Sequence, residues 1–249
     1  MTTLIFAAAQ SISIAGDVKA NISRHLRFME EAADHGVQFL VFPELSLTGY
    51  ERGLGRELAI HPDNEMLMPL REQAQRTGMI TVVGAPTFAN ESNDVFIGAL
   101  VLGRDVGLYT KQHLHAGEEL VFAAGSGGLM VPTGDTKVAL AICADILQPA
   151  HAAQAAELKA DVYAAGVLIT ENAYPAETEL LRTYATKHSM AVLMANHGGA
   201  TGGWNPSGRS AFWAEGGILI AAAPGEGDFL VIATRDAGQW SGKVVSVPA

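Results

Sequence analysis

Short apolar stretches rich in Val, Ile, Leu and Phe alternate along the chain with segments of helical period and with glycines, a pattern that predicts an α/β fold. Thr3–Ala9 reads as a strand. Asp17 can cap a helix that puts Ile22, Leu26, Met29 and Ala33 on one face and closes at Gly36. Gln38–Phe42 is the next strand, ended by Pro43. A helix over about 63–77 follows, with Met66, Leu70 and Ala74 four residues apart, and then a strand over Met79–Gly84. Asp94–Leu102 and Asp105–Thr110 flank Gly103-Arg104 as a β-hairpin would, so a mixed sheet is expected.

Beyond a loop over about 111–128, strands at Lys137–Ile142, Asp161–Ala165 and Ala191–Ala195 are separated by helices over 149–159 and 176–189. The segments Arg209–Trp213, Gly217–Ala222 and Phe229–Thr234 read as consecutive short strands joined by Gly and Pro, hence antiparallel. No linker, repeat or low-complexity tract interrupts this series, and one domain over 1–249 is expected.

Composition narrows the function. Hydrophobic residues make up 49% and charged residues 17%, enough for a buried core and against disorder. Sixteen basic against 26 acidic side chains give a net charge of −10, which repels phosphate backbones and anionic lipid, so neither nucleic acid nor a membrane surface is expected as partner. Apolar runs such as Ile218–Ala223 are stopped by Gly216, Gly217 and Pro224, well short of the roughly 20 residues a spanning helix needs. The opening MTTLIFAAAQ lacks the basic residues of a secretory leader, and a cytoplasmic location is expected. One cysteine rules out an internal disulfide and a Cys-rich zinc site. His113 and His115 alone fall short of the three or four ligands of a stable metal centre.

Three side chains of complementary chemistry stand at strand ends. Cys143 ends the apolar run KVALAIC, where a turning chain can expose a thiol among free backbone N–H groups, although a lone Cys in such a run can equally be a small buried hydrophobe. Glu44 follows the apolar residues 39–42, and Lys111 opens the long loop after a strand. A thiol with an ordinary pKa near 8.5 is mostly protonated at pH 7. A carboxylate can take its proton, and an ammonium can stabilise the anion formed on attack.

On these residues the chain resembles the nitrilase superfamily of carbon–nitrogen hydrolases. The blocks LVFPELSLTGY, YTKQHL and VALAICADILQP stand in that family's order and spacing, and SGRSAFWAEGGIL is similar to its C-terminal strand region. The resemblance implies a four-layer αββα sandwich with mixed sheets, no cofactor and no metal. It implies Cys143 as nucleophile, Glu44 as general base, Lys111 as oxyanion stabiliser and Glu118 as a second glutamate, preferred over the adjacent Glu119 because Gly125 follows at the family's spacing. The backbone N–H of Ala144 would assist at the oxyanion. The implied reaction is hydrolysis of a small linear amide through a thioester, with carbamoyl amines and nitriles as alternatives.

The chain departs from the family where Leu147 replaces an arginine, Ala150 a glutamate, and Lys187-His188 an acidic residue followed by asparagine, so no subfamily's substrate carries over. Tyr50, His115, Ile169, Asn172, Trp204 and Trp213 are candidate pocket residues because they neighbour the motifs. A homodimer or higher homo-oligomer is implied, with the Ala-rich helices as a candidate self-complementary surface. A redox-sensing protein is the contrasting expectation, but a sensor needs a reactive thiol and no base paired with an oxyanion donor.

Overall fold

The computed structural model describes residues 3–89, 93–104, 107–128 and 130–248. Among them the chain forms, in order, β1 (Leu4–Gln10), α1 (Val18–Asp34), β2 (Phe39–Val41), α2 (Met68–Thr77), β3 (Ile80–Thr87), β4 (Phe96–Leu102), β5 (Gly107–Thr110), β6 (Met130–Thr133) and β7 (Thr136–Ile142). It continues with α3 (Pro149–Glu157), β8 (Val162–Val167), α4 (Tyr174–His188), β9 (Ala191–Asn196), β10 (Ala211–Ala214), β11 (Ile218–Ala222), β12 (Phe229–Asp236) and β13 (Gln239–Ser246). One sheet has the order β13-β12-β1-β2-β3-β4-β5 and the other β11-β10-β9-β8-β7-β6. Both are mixed: β1, β2 and β3 run parallel, as do β7, β8 and β9, while the flanking strands pair antiparallel.

The alternation of side chains along each strand produces three apolar layers. Phe6, Phe39 and Val41 of the first sheet face Val138, Leu140 and Leu193 of the second, forming the core between sheets. The opposite face of the first sheet, including Ala7, Leu40 and Val83, is covered by Phe28 and Met29 of α1 and Leu70 and Ala74 of α2. Ala139, Tyr163 and Val192 on the outer face of the second sheet pack on Ala152 of α3 and on Leu181 and Tyr184 of α4. These layers make the four-layer αββα sandwich. Each fully buried Val, Leu, Ile or Phe side chain contributes about 1.5–3 kcal/mol to holding it.

Three features differ from the sequence reading. The helix expected from residue 63 starts as a 3-10 turn at Glu65–Leu67, and α2 proper begins at Met68, with Pro69 in its first turn, where a missing N–H costs no helical bond. Strands β6 and β13 lie where none was predicted. The tail is not one meander: β10 and β11 pair antiparallel, but β12 crosses to the other sheet and pairs with β1 and β13. The hairpin of β4 and β5 is present, although Asp105 and Val106 of its expected second strand lie outside the described residues. No helix among the described residues is long and apolar enough to cross a membrane.

Two glycines set how closely the sheets approach the end of β2. A Cβ at Gly84 of β3 would sit 2.4 Å from both the Pro43 carbonyl and the Leu45 nitrogen, and one at Gly166 of β8 would sit 2.6 Å from the Phe42 carbonyl. Only a residue without a side chain lets the turn after β2 wedge between the sheets.

Candidate active site

That turn carries Glu44. Phe42 N–H donates to the Val82 carbonyl and Leu47 N–H to that of Gly84, which stitches both sides of the turn to β3. Leu45 adopts a left-handed conformation, φ 51°. The ring of His25 stacks on Phe42 at 4.0 Å, its Nδ1 donates to the Asn21 carbonyl, and its Nε2 accepts from the Ser46 hydroxyl. From the other side, His197 Nε2 donates to the main-chain carbonyl of Glu44 at 2.7 Å. Both imidazoles are buried and neutral, because burial depresses each to about 4.

Lys111 follows β5 and is fixed through its backbone: its N–H donates to the Ile97 carbonyl and its carbonyl accepts from Gly125 N–H. Its side chain is fully buried, with Nζ 2.6 Å from Glu44 Oε1 and 2.8 Å from the Glu118 carboxylate. Glu118, in the 3-10 turn Glu118–Leu120, also accepts from the Tyr50 hydroxyl at 2.5 Å and from the His115 N–H at 2.7 Å. Every carboxylate oxygen of Glu118 is therefore occupied. Glu44 differs: its Oε2 is buried and has no hydrogen-bond partner among the described residues.

Cys143 terminates β7 and opens the 3-10 turn Cys143–Leu147 with φ 42°, a left-handed backbone that a non-glycine residue enters at a cost of about 1–2 kcal/mol. Asp145 braces this turn. One of its oxygens accepts from the N–H groups of Gln112 and His113, and the other from Ile142 N–H and the Tyr109 hydroxyl. The loop holding Lys111 and the turn holding Cys143 are thus tied to one buried carboxylate. The thiol points toward the Leu168 carbonyl, 3.7 Å away, and lies within the fields of Glu44, Lys111 and Glu118.

Burial and mutual charge set the protonation states. Burial, together with the repulsion of Glu118, raises Glu44 to about 7 against the pull of Lys111. Burial alone would lower Lys111, but the surrounding anions outweigh it and hold the ammonium charged. Burial and Glu44 push the Cys143 thiol well above its ordinary value, so it rests protonated beside a carboxylate with a free oxygen. The three groups read from the sequence are brought together, with Glu118 as the fourth.

A hollow of about 160 Å³ opens over Cys143 and is lined by Tyr50, His115, Ala144, Leu147, Leu168, Thr170, Ala173, Glu177 and Trp204. Of the candidate pocket residues, Tyr50, His115, Ala144 and Trp204 are on this wall. Three are not. Ile169, just past the end of β8, and Trp213 of β10 are buried in the core under α3 and α4, and Asn172 is exposed in the turn before α4. Sequence reading missed Leu168, Thr170, Ala173 and Glu177 as lining. The available signal for Leu168, Thr170 and Ala173 was their position between β8 and α4, at the same sheet edge as Cys143, while Glu177 lies within α4.

Relatives agree with this architecture. The sequence model of the carbon–nitrogen hydrolase family matches residues 6–242. The chain is 26% identical over 238 residues to the glutamine-dependent NAD(+) synthetase of Thermotoga maritima, covering 91% of this chain and 39% of that protein. It is 32% identical over 151 residues to a nitrilase of Pyrococcus abyssi, 58% of this chain and 57% of the relative. The chain thus spans well under two thirds of the length of either curated relative. Among solved structures, Saccharomyces cerevisiae Nit3, a member of branch 10 of the nitrilase superfamily, superposes with a TM-score of 0.87 at 20% identity, covering 94% of this chain and 90% of that one. A mutant of the amidase from Nesterenkonia sp. AN1 in complex with butyramide gives 0.85 at 21% identity, over 94% and 92%. This chain shares the αββα fold of these structures, and on a family match over nearly its whole length it belongs to the carbon–nitrogen hydrolase family.

Proposed function

We propose that this protein hydrolyses a small linear amide to a carboxylic acid and ammonia, with Cys143 as nucleophile, Glu44 as general base and Lys111 as oxyanion donor. The observation that carries the reading is the unpartnered Oε2 of Glu44 beside a protonated thiol, with Oε1 held on Lys111. As the sulfur bonds to the amide carbon, its proton passes to Glu44 and the carbonyl π electrons move to oxygen. Lys111 Nζ and the N–H of Ala144 stabilise that oxyanion; Ala144 stands in the first turn after β7, where no preceding helical carbonyl can accept its N–H. Collapse of the tetrahedral species breaks the C–N bond, and Glu44 returns the proton to the leaving ammonia. Water, deprotonated by Glu44, then cleaves the thioester and frees the thiol. Glu118 keeps Lys111 in place, and its charge adds to the burial that raises Glu44.

An ammonia-release screen over short aliphatic amides, carbamoyl amines and nitriles tests this. Turnover is expected on amides, with none in Cys143→Ala. Because the base must be ionised, kcat/KM should fall as pH drops below about 7, an apparent value belonging to the coupled Glu44, Lys111 and Glu118 group. Amide turnover that persists in Cys143→Ala, or preferential turnover of nitriles or carbamoyl amines, would overturn the reading.

A further inference from the structure

The lining of the hollow is lopsided in charge. Leu147, Leu168, Ala173 and Ala144 make an apolar wall, and no Lys or Arg is among the described residues that line the hollow. Glu177 is the one acidic residue on that wall. It sits in the first turn of α4, is half-buried, and its side chain has neither a hydrogen bond nor an ion pair among the described residues. Tyr50 and Trp204 also line the hollow; the Tyr50 ring already carries the Arg52 guanidinium, 5.4 Å from its centroid, which leaves Trp204 as the aromatic surface that can attract a further cation. A partly desolvated carboxylate without a partner is costly. Burial alone raises Glu177 to about 7, with no neighbouring charge contributing.

Resting on the amide-hydrolase reading, we infer that Glu177 selects substrates whose far end carries a positive charge, namely short linear amides with a terminal amine. The volume fits: a cavity near 150 Å³ holds a molecule the size of benzene, so about six or seven non-hydrogen atoms fill this one. A three- or four-carbon chain along the leucine wall would place the amide at Cys143 and an ammonium at Glu177. A charge-assisted hydrogen bond then replaces the missing partner. Glu177 is here a specificity residue and takes no part in bond breaking.

Three compounds of nearly equal size separate the possibilities: 4-aminobutanamide, pentanamide and succinamate, ending in ammonium, methyl and carboxylate. At pH 8, kcat/KM for 4-aminobutanamide should exceed that for pentanamide at least about tenfold, equivalent to about 1.4 kcal/mol, with succinamate the poorest. In Glu177→Gln the amine-to-alkyl ratio should fall to within about threefold. The ratio is taken within each protein, so a partly unfolded variant does not distort it. A smaller preference in the wild-type chain, or one that survives Glu177→Gln, overturns the inference. Calorimetric binding of the same compounds to Cys143→Ala reads the preference without turnover. If no amide is hydrolysed the hydrolase reading fails, while the order of binding still decides the role of Glu177.

Discussion

Lys111 is a cation wholly enclosed by protein, and its ammonium is shared between two carboxylates that would otherwise face each other across a dry gap. Buried ion clusters of this kind often add little net stability, but removing one member leaves the rest uncompensated. Lys111→Met is therefore expected to lower unfolding free energy by about 3–5 kcal/mol as well as to abolish activity, and adding Glu44→Gln should recover part of that stability. Denaturant titration of the single and double variants checks this, and a double variant no more stable than Lys111→Met would show that repulsion between the carboxylates is not the cause. Cys143 illustrates a different residue-scale cost. Its left-handed backbone is held by the Asp145 brace on the following turn, so orientation of the sulfur is set by contacts the thiol itself does not make.

At the scale of elements, what positions the chemistry is the wedge of the turn after β2 between the two sheets. Gly166→Ala would press a methyl group into the Phe42 carbonyl, and Gly84→Ala into the Pro43 carbonyl and Leu45 nitrogen, where backbone cannot rotate away. Each should destabilise the fold by about 1–3 kcal/mol and displace Glu44, so that kcat/KM falls by more than stability alone explains once assayed well below the melting temperature. Wild-type kcat/KM in a folded Gly166→Ala protein would refute the wedge. The strands around this turn were legible because their buried faces leave continuous apolar runs, and Glu44 and Cys143 because each stands at the end of such a run. Lys111, after the mixed segment Gly107–Thr110, was legible through the YTKQHL block that resembles the family. Strand β13 was not legible: it is an edge strand of mostly exposed residues, with no core-facing alternation to betray it. β6 is four residues with a proline, too short to carry a period. Glu177 was hidden for another reason, since which side of α4 meets the cleft depends on how that helix packs on the turn Cys143–Leu147 and on β10, contacts between segments that are not neighbours in sequence.

For the molecule as a whole, two neutral imidazoles sealed in the first sheet's surroundings link stability to acidity. His25 and His197 protonate near 4 in the folded chain against an ordinary 6.5, so the unfolded chain binds protons first and each residue withdraws stability as pH falls from 6.5 towards 4. Glu44, raised to about 7, acts in the opposite sense between 4.5 and 7, which flattens the net profile. A comparison with His25→Gln isolates one contribution. The substitution should cost most at pH 7, and its cost should shrink by about 2 kcal/mol at pH 5, where the wild-type chain alone bears the penalty of a suppressed imidazole. Urea unfolding at both pH values measures it, and a pH-independent cost would contradict the assignment of a buried neutral ring.

The pairing of β1 with β12 joins Leu4–Gln10 to Phe229–Asp236, in the middle of the first sheet. During synthesis, β1 gains that neighbour only after more than two hundred further residues have emerged. For all that time its outward row of amide and carbonyl groups is open to mispairing, and the Glu44 turn beside it has half a foundation. Completion of the sheet that carries the Glu44 turn is therefore governed by the arrival of a strand that does not itself line the hollow.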